Sequence, residues 1–174
     1  MNNITNIKIS CIFKLPFNWK FLLSFILKKR QITVKKSANI TVIRDKYVLC
    51  IFERKDGNIH INVTKIKSID DIYKFLFFFA EHYFSYDSKL ISLKIDNITA
   101  NFNLKQKIEL EQLKKFKLNY KFNPERFSGY FIKFEKGTAI LFRNGKINIV
   151  GCKTIHSIHE ICQTLEKILH VNML

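Results

Sequence analysis

Residues 122–153, FNPERFSGYFIKFEKGTAILFRNGKINIVGCK, decide the fold because three short apolar stretches in them are separated by turn residues. The stretches and turns are, in order, 127–134, 135–137, 138–142, 143–145 and 146–150. The last turn contains Asn144-Gly145, the dipeptide most typical of a tight hairpin. Residues 147–149 alternate between apolar and polar, as in a half-buried strand. The segment therefore predicts a basic, aromatic-rich antiparallel β-meander.

The remainder of the chain repeats one order of elements, strand–helix–meander–helix. The predicted elements before the meander are a strand at 4–15, a helix at 18–29, a hairpin and strand at 39–63, a helix from 68 to 83, a strand at 90–102 and a helix at 104–116. Matching residues are Asn6 and Asn97 (91 apart), Phe52 and Phe142 (90), Gly57 and Gly145 (88), and Ser68 and Ser157 (89). A nearly constant offset across strand, turn and helix cap indicates an internal duplication.

The duplication predicts an α+β fold with two repeats, residues 1–87 and 88–174. Neither copy can cover its own sheet, so we expect the two to join in one curved antiparallel sheet related by a pseudo-twofold axis. The long helices would cover the convex face and leave the opposite face open.

Helix caps and apolar stripes define the two long helices. Ser68 is a good N-cap, and Ser157 with Glu160 has the spacing of a capping box for the last helix. In the helix that follows Ser68, the aromatic stripe of Tyr73, Phe77 and Phe84 is expected to belong to the core.

The net charge of +16 on 174 residues is the main compositional clue. It divides evenly, +8 in each half, so it does not come from a tail. A polyanionic partner explains such a charge, and nucleic acid is the first choice over an acidic membrane or protein surface. The remaining alternative is a generally basic surface that reflects lysine-rich coding.

Cysteine and histidine spacing gives no metal or redox motif. The four cysteines form no CxxC pair. His156, His159 and Cys162 could share a helix face, but packing or surface placement is favoured over metal binding. We expect free thiols, no metal and no cofactor. Neither apolar run, 21–27 or 76–80, reaches the length of a membrane span, and no signal peptide is recognisable, so a soluble intracellular protein is expected.

The second half resembles the core domain of the TATA-box-binding protein family. The residues that carry the resemblance are Phe122-Asn123-Pro124-Glu125-Arg126-Phe127, Phe142-Arg143-Asn144-Gly145-Lys146, Gly151-Cys152-Lys153 and Ile95-Asp96-Asn97-Ile98. The resemblance extends weakly through the first half. It implies a saddle whose concave sheet lies on the DNA minor groove and whose phenylalanines wedge between base steps.

The resemblance also implies roles for individual residues. Phe127 and Phe142 match one wedging pair, although burial in the core is the alternative for both. Phe52 is the first-repeat counterpart of Phe142. Asn6 and Asn97 match asparagines that read base edges, where amide donors meet A and T acceptors. The basic residues implied near the phosphates are Arg44, Lys133, Arg143 and Lys146, and Glu125 matches a glutamate that contacts general transcription factor IIB.

Two departures from the family pattern predict altered binding. The first-repeat counterpart of Phe127 falls near Ala38, which is too small to wedge a base step. Asn62 and Val150 replace the central threonines of the saddle, although both should still face DNA. We therefore expect a divergent relative that bends DNA less at the first-repeat end.

Three functions remain open at this point. The first is a transcription initiation factor that binds AT-rich promoter DNA and recruits a factor-IIB-like protein and the RNA polymerase machinery, in the nucleus or at a viral transcription site in a host cell. The second is an assembly platform with the same fold and little sequence-specific DNA contact. An enzyme or nuclease domain is disfavoured because the sequence has no nucleophile motif, no phosphate-binding glycine loop and no pair of Asp or Glu residues at a strand end. The free protein could form a homodimer through its open face.

Overall fold

A computed structural model describes most of the chain. The described residues are 3–15, 33–37, 40–44, 46–54, 56–83, 88–104, 106–109, 113, 120–123, 125, 127–171 and 173. They fall into two compact units: a first unit, Asn6–Ile95, and a second unit, Asp96–Leu174 together with Met1–Thr5. The predicted helix at 18–29 and the positions of Ala38 and Phe84 lie outside the described residues.

The first unit is an antiparallel sheet with one described helix. Its elements are β1 (Ile4–Lys14), β2 (Thr33–Ser37), β3 (Ile40–Arg44), β4 (Val48–Glu53), β5 (Asn58–Ile66) and α1 (Ile69–Tyr83). The strand order is β2-β3-β4-β5-β1. Alternate residues of β1 and β5 are buried, so each strand has one core face and one open face.

The second unit has the same arrangement. It contains the C-terminal part of β6 (Lys89–Asn103), followed by β7 (Tyr120–Asn123), β8 (Phe127–Phe134), β9 (Gly137–Leu141), β10 (Lys146–Cys152) and α2 (Ile155–Leu169). The strand order is β6-β10-β9-β8-β7. The three predicted meander strands are present within two residues of their predicted ends, whereas β7 was not predicted.

The turns before β5 and β10 are built alike. Arg54 N donates to Asn58 O (2.9 Å), and Phe142 N donates to Lys146 O (2.9 Å). In both turns a side-chain oxygen, of Asp56 or Asn144, accepts from the backbone two residues on. Gly57 and Gly145 have φ of 79° and 89°, where glycine is favoured. These turns confirm the predicted hairpins.

Helix α1 packs on the sheet through Ile72, Phe75 and Phe79, which are buried. Its N-terminus is as predicted, because Ser68 Oγ accepts from Asp71 N at 3.1 Å. The expected core stripe is wrong: Tyr73 and Phe77 are each 67% exposed. The helix is apolar on nearly all sides between Phe75 and Phe79, so sequence periodicity did not identify the face that packs.

The N-cap of helix α2 (Ile155–Leu169) lies three residues before the predicted cap, Ser157. The N-cap is Thr154, whose Oγ1 accepts from Ser157 N at 3.1 Å. Ser157 lies inside the helix and is buried, so the predicted capping box of Ser157 and Glu160 is wrong. Glu160 instead pairs with Lys136 Nζ at 3.1 Å. Thr154, which lies between β10 and α2, caps the free N–H groups of the helix, so Ser157 is not needed as the cap.

The predicted helix at 104–116 does not begin at its predicted residue. Leu104 N donates to Gly145 O (2.9 Å) and Ile108 N to Arg143 O (3.0 Å), so this segment is held in an extended course against the β9–β10 turn. Residues 106–109 are not helical, and most of the rest lies outside the described residues.

Two buried thiols lie in the core of the second unit. Cys152 on β10 and Cys162 on α2 are both fully buried. Burial raises the pKa of Cys152, and burial together with the Glu166 charge and Cys152 raises the pKa of Cys162 from 9.0 to about 12. His156, by contrast, is exposed, and its Nε2 lies 3.4 Å from Glu160 Oε1. Within the described residues no group of three or more His, Cys, Asp or Glu is placed to hold a metal, and no helix has the length and apolarity to cross a membrane.

The raised pKa of Cys162 predicts alkaline destabilisation. Above pH 9 the unfolded thiol loses its proton while the folded thiol keeps it, so the free energy of unfolding should fall by up to about 1.4 kcal/mol per pH unit from this group. Urea titrations of the wild type and Cys162→Ala between pH 8 and about 11 measure the difference. The variant should start less stable and have a shallower slope, and parallel curves would contradict the assignment.

Candidate nucleic-acid interface

The second unit has an open face on the side of its sheet opposite α2. The strand residues on this face alternate with buried core residues, and cross-strand pairing places them side by side. They are Asn97, Thr99, Asn101 and Asn103 on β6, Lys146, Asn148 and Val150 on β10, Thr138 and Ile140 on β9, and Phe127, Gly129, Phe131 and Lys133 on β8. The face combines amides, lysines and aromatic rings.

An aromatic cluster lies at the β8 end of this open face. The Phe127 ring is 5.1 Å from Phe131 and 5.6 Å from Phe142, the latter at an edge-on angle of 62°. Phe127 is 41% exposed and Phe142 is half-buried. Neither ring belongs to the core beneath α2. Lys133, Lys121 and Thr138 join Phe127 and Phe131 around a groove of about 510 Å³.

Gly129 makes room for the Phe127 ring. A Cβ at this position would lie 2.5 Å from Phe127 Cε1 and 2.9 Å from Ile140 Cγ2, both far inside van der Waals contact. The ring therefore lies down over a strand position that has no side chain. Sequence analysis missed this role, although the spacing Phe127-Ser128-Gly129 puts the glycine on the same face of the strand.

Two asparagines hold matching β-bulges. Asn97 Oδ1 accepts from Gly151 N at 2.7 Å, and Asn6 Oδ1 accepts from Lys65 N at 2.8 Å. Gly151 and Lys65 have φ of 82° and 70°, and the strand register shifts at both places. Because each carbonyl oxygen is held by the backbone, each side chain has amide N–H groups to offer on the open face. Asn97 Nδ2 donates one of them to Thr99 Oγ1 at 3.3 Å.

Comparisons with known proteins match this unit. The family model described as transcription factor TFIID (or TATA-binding protein, TBP) matches residues 92–171. The second half of the chain is therefore similar to TATA-binding-protein domains. The resemblance recognised in the sequence is thereby confirmed.

Individual relatives are archaeal TATA-box-binding proteins. That of Pyrococcus abyssi is 33% identical over 85 residues, which are 47% of this chain and 44% of that protein. TATA-box-binding protein 2 of Haloferax volcanii is 35% identical over 71 residues, 40% of this chain and 38% of the relative. These matches span less than half the length of the curated relatives.

A solved structure extends the likeness to the fold. Methanococcus jannaschii TBP matches 97% of both chains with a TM-score of 0.75 at 18% identity. At that identity the match shows the fold alone, and it confirms the predicted fold class.

The bulges correct one equivalence expected from the TBP resemblance. Lys65 and Gly151 correspond, so Val150 corresponds to Thr64 and not to Asn62. Asn62 corresponds to Asn148 instead. The first repeat therefore has Thr64 where the second repeat has Val150. Strand β5 has nine residues and β10 has seven. The offset of 88 between Gly57 and Gly145 in the turns therefore does not hold at the bulges.

The open face of the first unit carries different groups. Phe52 pairs with His60 across β4 and β5, with ring centroids 5.8 Å apart. Cys50 and Ser10 lie on either side of Asn62 by register, and Arg44 is exposed at the end of β3. In this unit a histidine lies beside the phenylalanine that corresponds to Phe142.

Basic residues border both open faces. Lys133, Arg143 and Lys146 are exposed in the second unit. In the first unit Lys8 and Lys14 lie on the open face of β1 with Asn6. The sequence analysis did not assign them, although they alternate with the apolar residues of the same strand. Glu125 is exposed in the turn between β7 and β8.

Gly129→Ala should lower the free energy of unfolding by about 1–3 kcal/mol, because the new methyl group overlaps Phe127 and Ile140. Urea denaturation followed by tryptophan fluorescence or circular dichroism measures the change. In a Phe127→Ala background the same substitution should cost less, since only the Ile140 contact remains. An equal cost in both backgrounds would show that the ring does not rest on Gly129.

The bulge positions offer a matched pair of substitutions. Lys65→Gly should raise stability by about 0.5–1 kcal/mol by relieving left-handed backbone strain, and Gly151→Ala should lower it by about 1 kcal/mol for the opposite reason. Lys67→Gly, at a position without positive φ, is the control and should not stabilise. Thermal or urea unfolding reports all three, and stabilisation by the control alone would refute the strain argument.

Proposed function

We propose that this chain is a transcription initiation factor that binds AT-rich promoter DNA in the minor groove. The observation that carries the proposal is the Phe127–Phe142 pair, which lies on the open face next to exposed lysines. Apolar wedges of this kind insert between base steps and kink the duplex. A basic sheet that displays phenylalanines away from its core is suited to that task.

Electrostatics supports a nucleic-acid partner. The chain carries a net charge of +16, and lysines or arginines border the open face of each unit. Each phosphate contact that releases a counterion makes the affinity more dependent on salt. This term positions the protein on DNA and carries no sequence information.

Base reading is assigned to the amides. The minor groove of an A·T pair offers only acceptors, adenine N3 and thymine O2. Asn6 and Asn97 have their oxygens occupied by backbone N–H groups, so the groups left to face DNA are donors. Their orientation is fixed before DNA arrives, which lowers the entropy cost of forming the contact.

The two units should act unequally on DNA. The second unit has two phenylalanines within contact distance, whereas Phe52 in the first unit has His60 as its described ring neighbour. We therefore propose a stronger kink at the second-unit end. This asymmetry would orient the protein on a sequence that is itself symmetric.

Partner recruitment is proposed for Glu125. It is exposed in the β7–β8 turn, where a basic patch of a factor-IIB-like protein could reach it while DNA occupies the open face. Recruitment of the RNA polymerase machinery, homodimerisation of the free protein and a nuclear location remain predictions.

An assembly platform is the second candidate, and a specific observation favours it. Tyr73 and Phe77 are both exposed on the outer face of α1, one helical turn apart. Exposed aromatic residues are typical anchors of protein interfaces. In an assembly platform, Tyr73 and Phe77 would provide most of the binding energy for a protein partner, and the open face would contribute only charge.

Substitution of the phenylalanines distinguishes the two functions. Phe127→Ala and Phe142→Ala should each weaken binding to an AT-rich duplex by about 1–3 kcal/mol, as loss of an aromatic–base contact does, and should reduce bending measured by fluorescence resonance energy transfer. Phe77→Ala is the control, a deletion of an equally large exposed ring on α1, and should leave DNA binding unchanged. Lys133→Ala should lower the slope of log K against log salt by about 1.

The contrary outcome is equally clear. Steep salt dependence together with unchanged AT preference and unchanged bending in both phenylalanine variants would mean that contact is electrostatic only. A pull-down with a factor-IIB-like protein, repeated with Glu125→Ala and Phe77→Ala, would then identify the surface that the platform uses.

A further inference from the structure

Asn148, on β10 in the second unit's open face, has an acceptor without a hydrogen bond. Its Oδ1 has almost no accessible surface and no hydrogen-bond partner among the described residues. By register it lies between Asn101 on β6 and Ile140 on β9. The residue as a whole is half-buried. The amide therefore reaches the open face while its oxygen remains unsatisfied.

An unsatisfied oxygen of this kind favours any partner that supplies a donor. A buried carbonyl without a hydrogen bond retains its full desolvation cost. The terminal torsion of asparagine is broad, so rotation about Cβ–Cγ can carry Oδ1 to the open face without moving the strand. Ile140 on one side provides no donor side chain, and the amide of Asn101 on the other side makes no hydrogen bond to this oxygen. A ligand on the open face can therefore satisfy this atom.

Asn97 has the opposite polarity in the same unit. Its oxygen is engaged by Gly151 N, which leaves donors for the ligand. Asn148 leaves an acceptor. One unit thus displays two asparagines that would recognise different minor-groove groups.

The minor groove contains one base donor, the N2 amino group of guanine. We propose that Asn148 is a guanine-reading subsite, in which Oδ1 accepts a hydrogen bond from guanine N2. This rests on the proposed minor-groove function and deepens it. The protein would then accept a G·C pair at one defined position of an otherwise A·T-rich site.

Modified bases test this without altering the protein. An AT-rich duplex is scanned with a single G·C pair and, at the same positions, with inosine·C, which lacks only the N2 amino group. At one position the wild type should bind the G·C duplex about three- to tenfold more tightly than the inosine·C duplex, the range of one hydrogen bond. A diaminopurine·T pair, which adds a minor-groove amino group to A·T, should gain similarly there.

Asn148→Val removes the acceptor and keeps a compact side chain. It should abolish the preference for guanine over inosine at that position, while binding to the AT-rich duplex remains dependent on Phe127. Gln163→Val is the control, an amide removed from the exposed side of α2, and should retain the preference. Circular dichroism and thermal unfolding establish that both variants are folded.

The outcomes separate the inference from the function on which it rests. If inosine binds as well as or better than guanine at every position, while AT-rich binding still depends on Phe127, the subsite is refuted and the function stands. A guanine preference that survives Asn148→Val also refutes it. If no duplex is bound in a Phe127-dependent manner, both fail.

Discussion

The constraint on which the rest depends is the asparagine-held β-bulge that occurs once in each unit. In β10 the bulge at Gly151 lets Ile149 and Cys152, three residues apart, both enter the core. In β5 the bulge at Lys65 does the same for Val63 and Ile66. Without this extra residue the alternation would turn one strand end inside out. The asparagine that stabilises the bulge is also the residue proposed to read DNA, so folding and the proposed recognition would depend on the same hydrogen bond.

Sharing that bond has a cost in sequence freedom. The residue at each bulge must adopt positive φ, which glycine does freely and lysine does only with strain. Lys65 is retained in that conformation because Asn6 and the flanking strand pairs hold it. The first unit therefore stores strain that the second unit avoids. It is also the unit whose sequence resembles the TBP family less.

Local signals in the sequence predicted the meander, the turns and the cap at Ser68, because each depends on residues within one turn of each other. The packing face of α1 was not predictable: five consecutive apolar residues from Phe75 to Phe79 fit several faces equally, and only the sheet decides between them. The prediction of the α2 cap was wrong because Thr154 and Ser157, three residues apart, are both residue types that cap helices. The two hairpins differ in length, so the correspondence between the repeats was shifted and Asn62 was matched to Val150 instead of Asn148. The aromatic residues of the proposed site were predicted from the resemblance, whereas the proposed roles of Gly129 and Asn148 depend on neighbours that only the fold brings together.

The resting position of Phe127 has a consequence for timing. Its ring already packs on Phe142, Phe131 and the bare backbone of Gly129. In the proposed function it would have to leave these contacts before it could enter a base step. Insertion exchanges one aromatic contact for another, and the net gain is smaller than the area of the ring suggests. In the proposed function, the packed ring would cover part of the aromatic surface in the free protein and would add a conformational step to both binding and release of DNA.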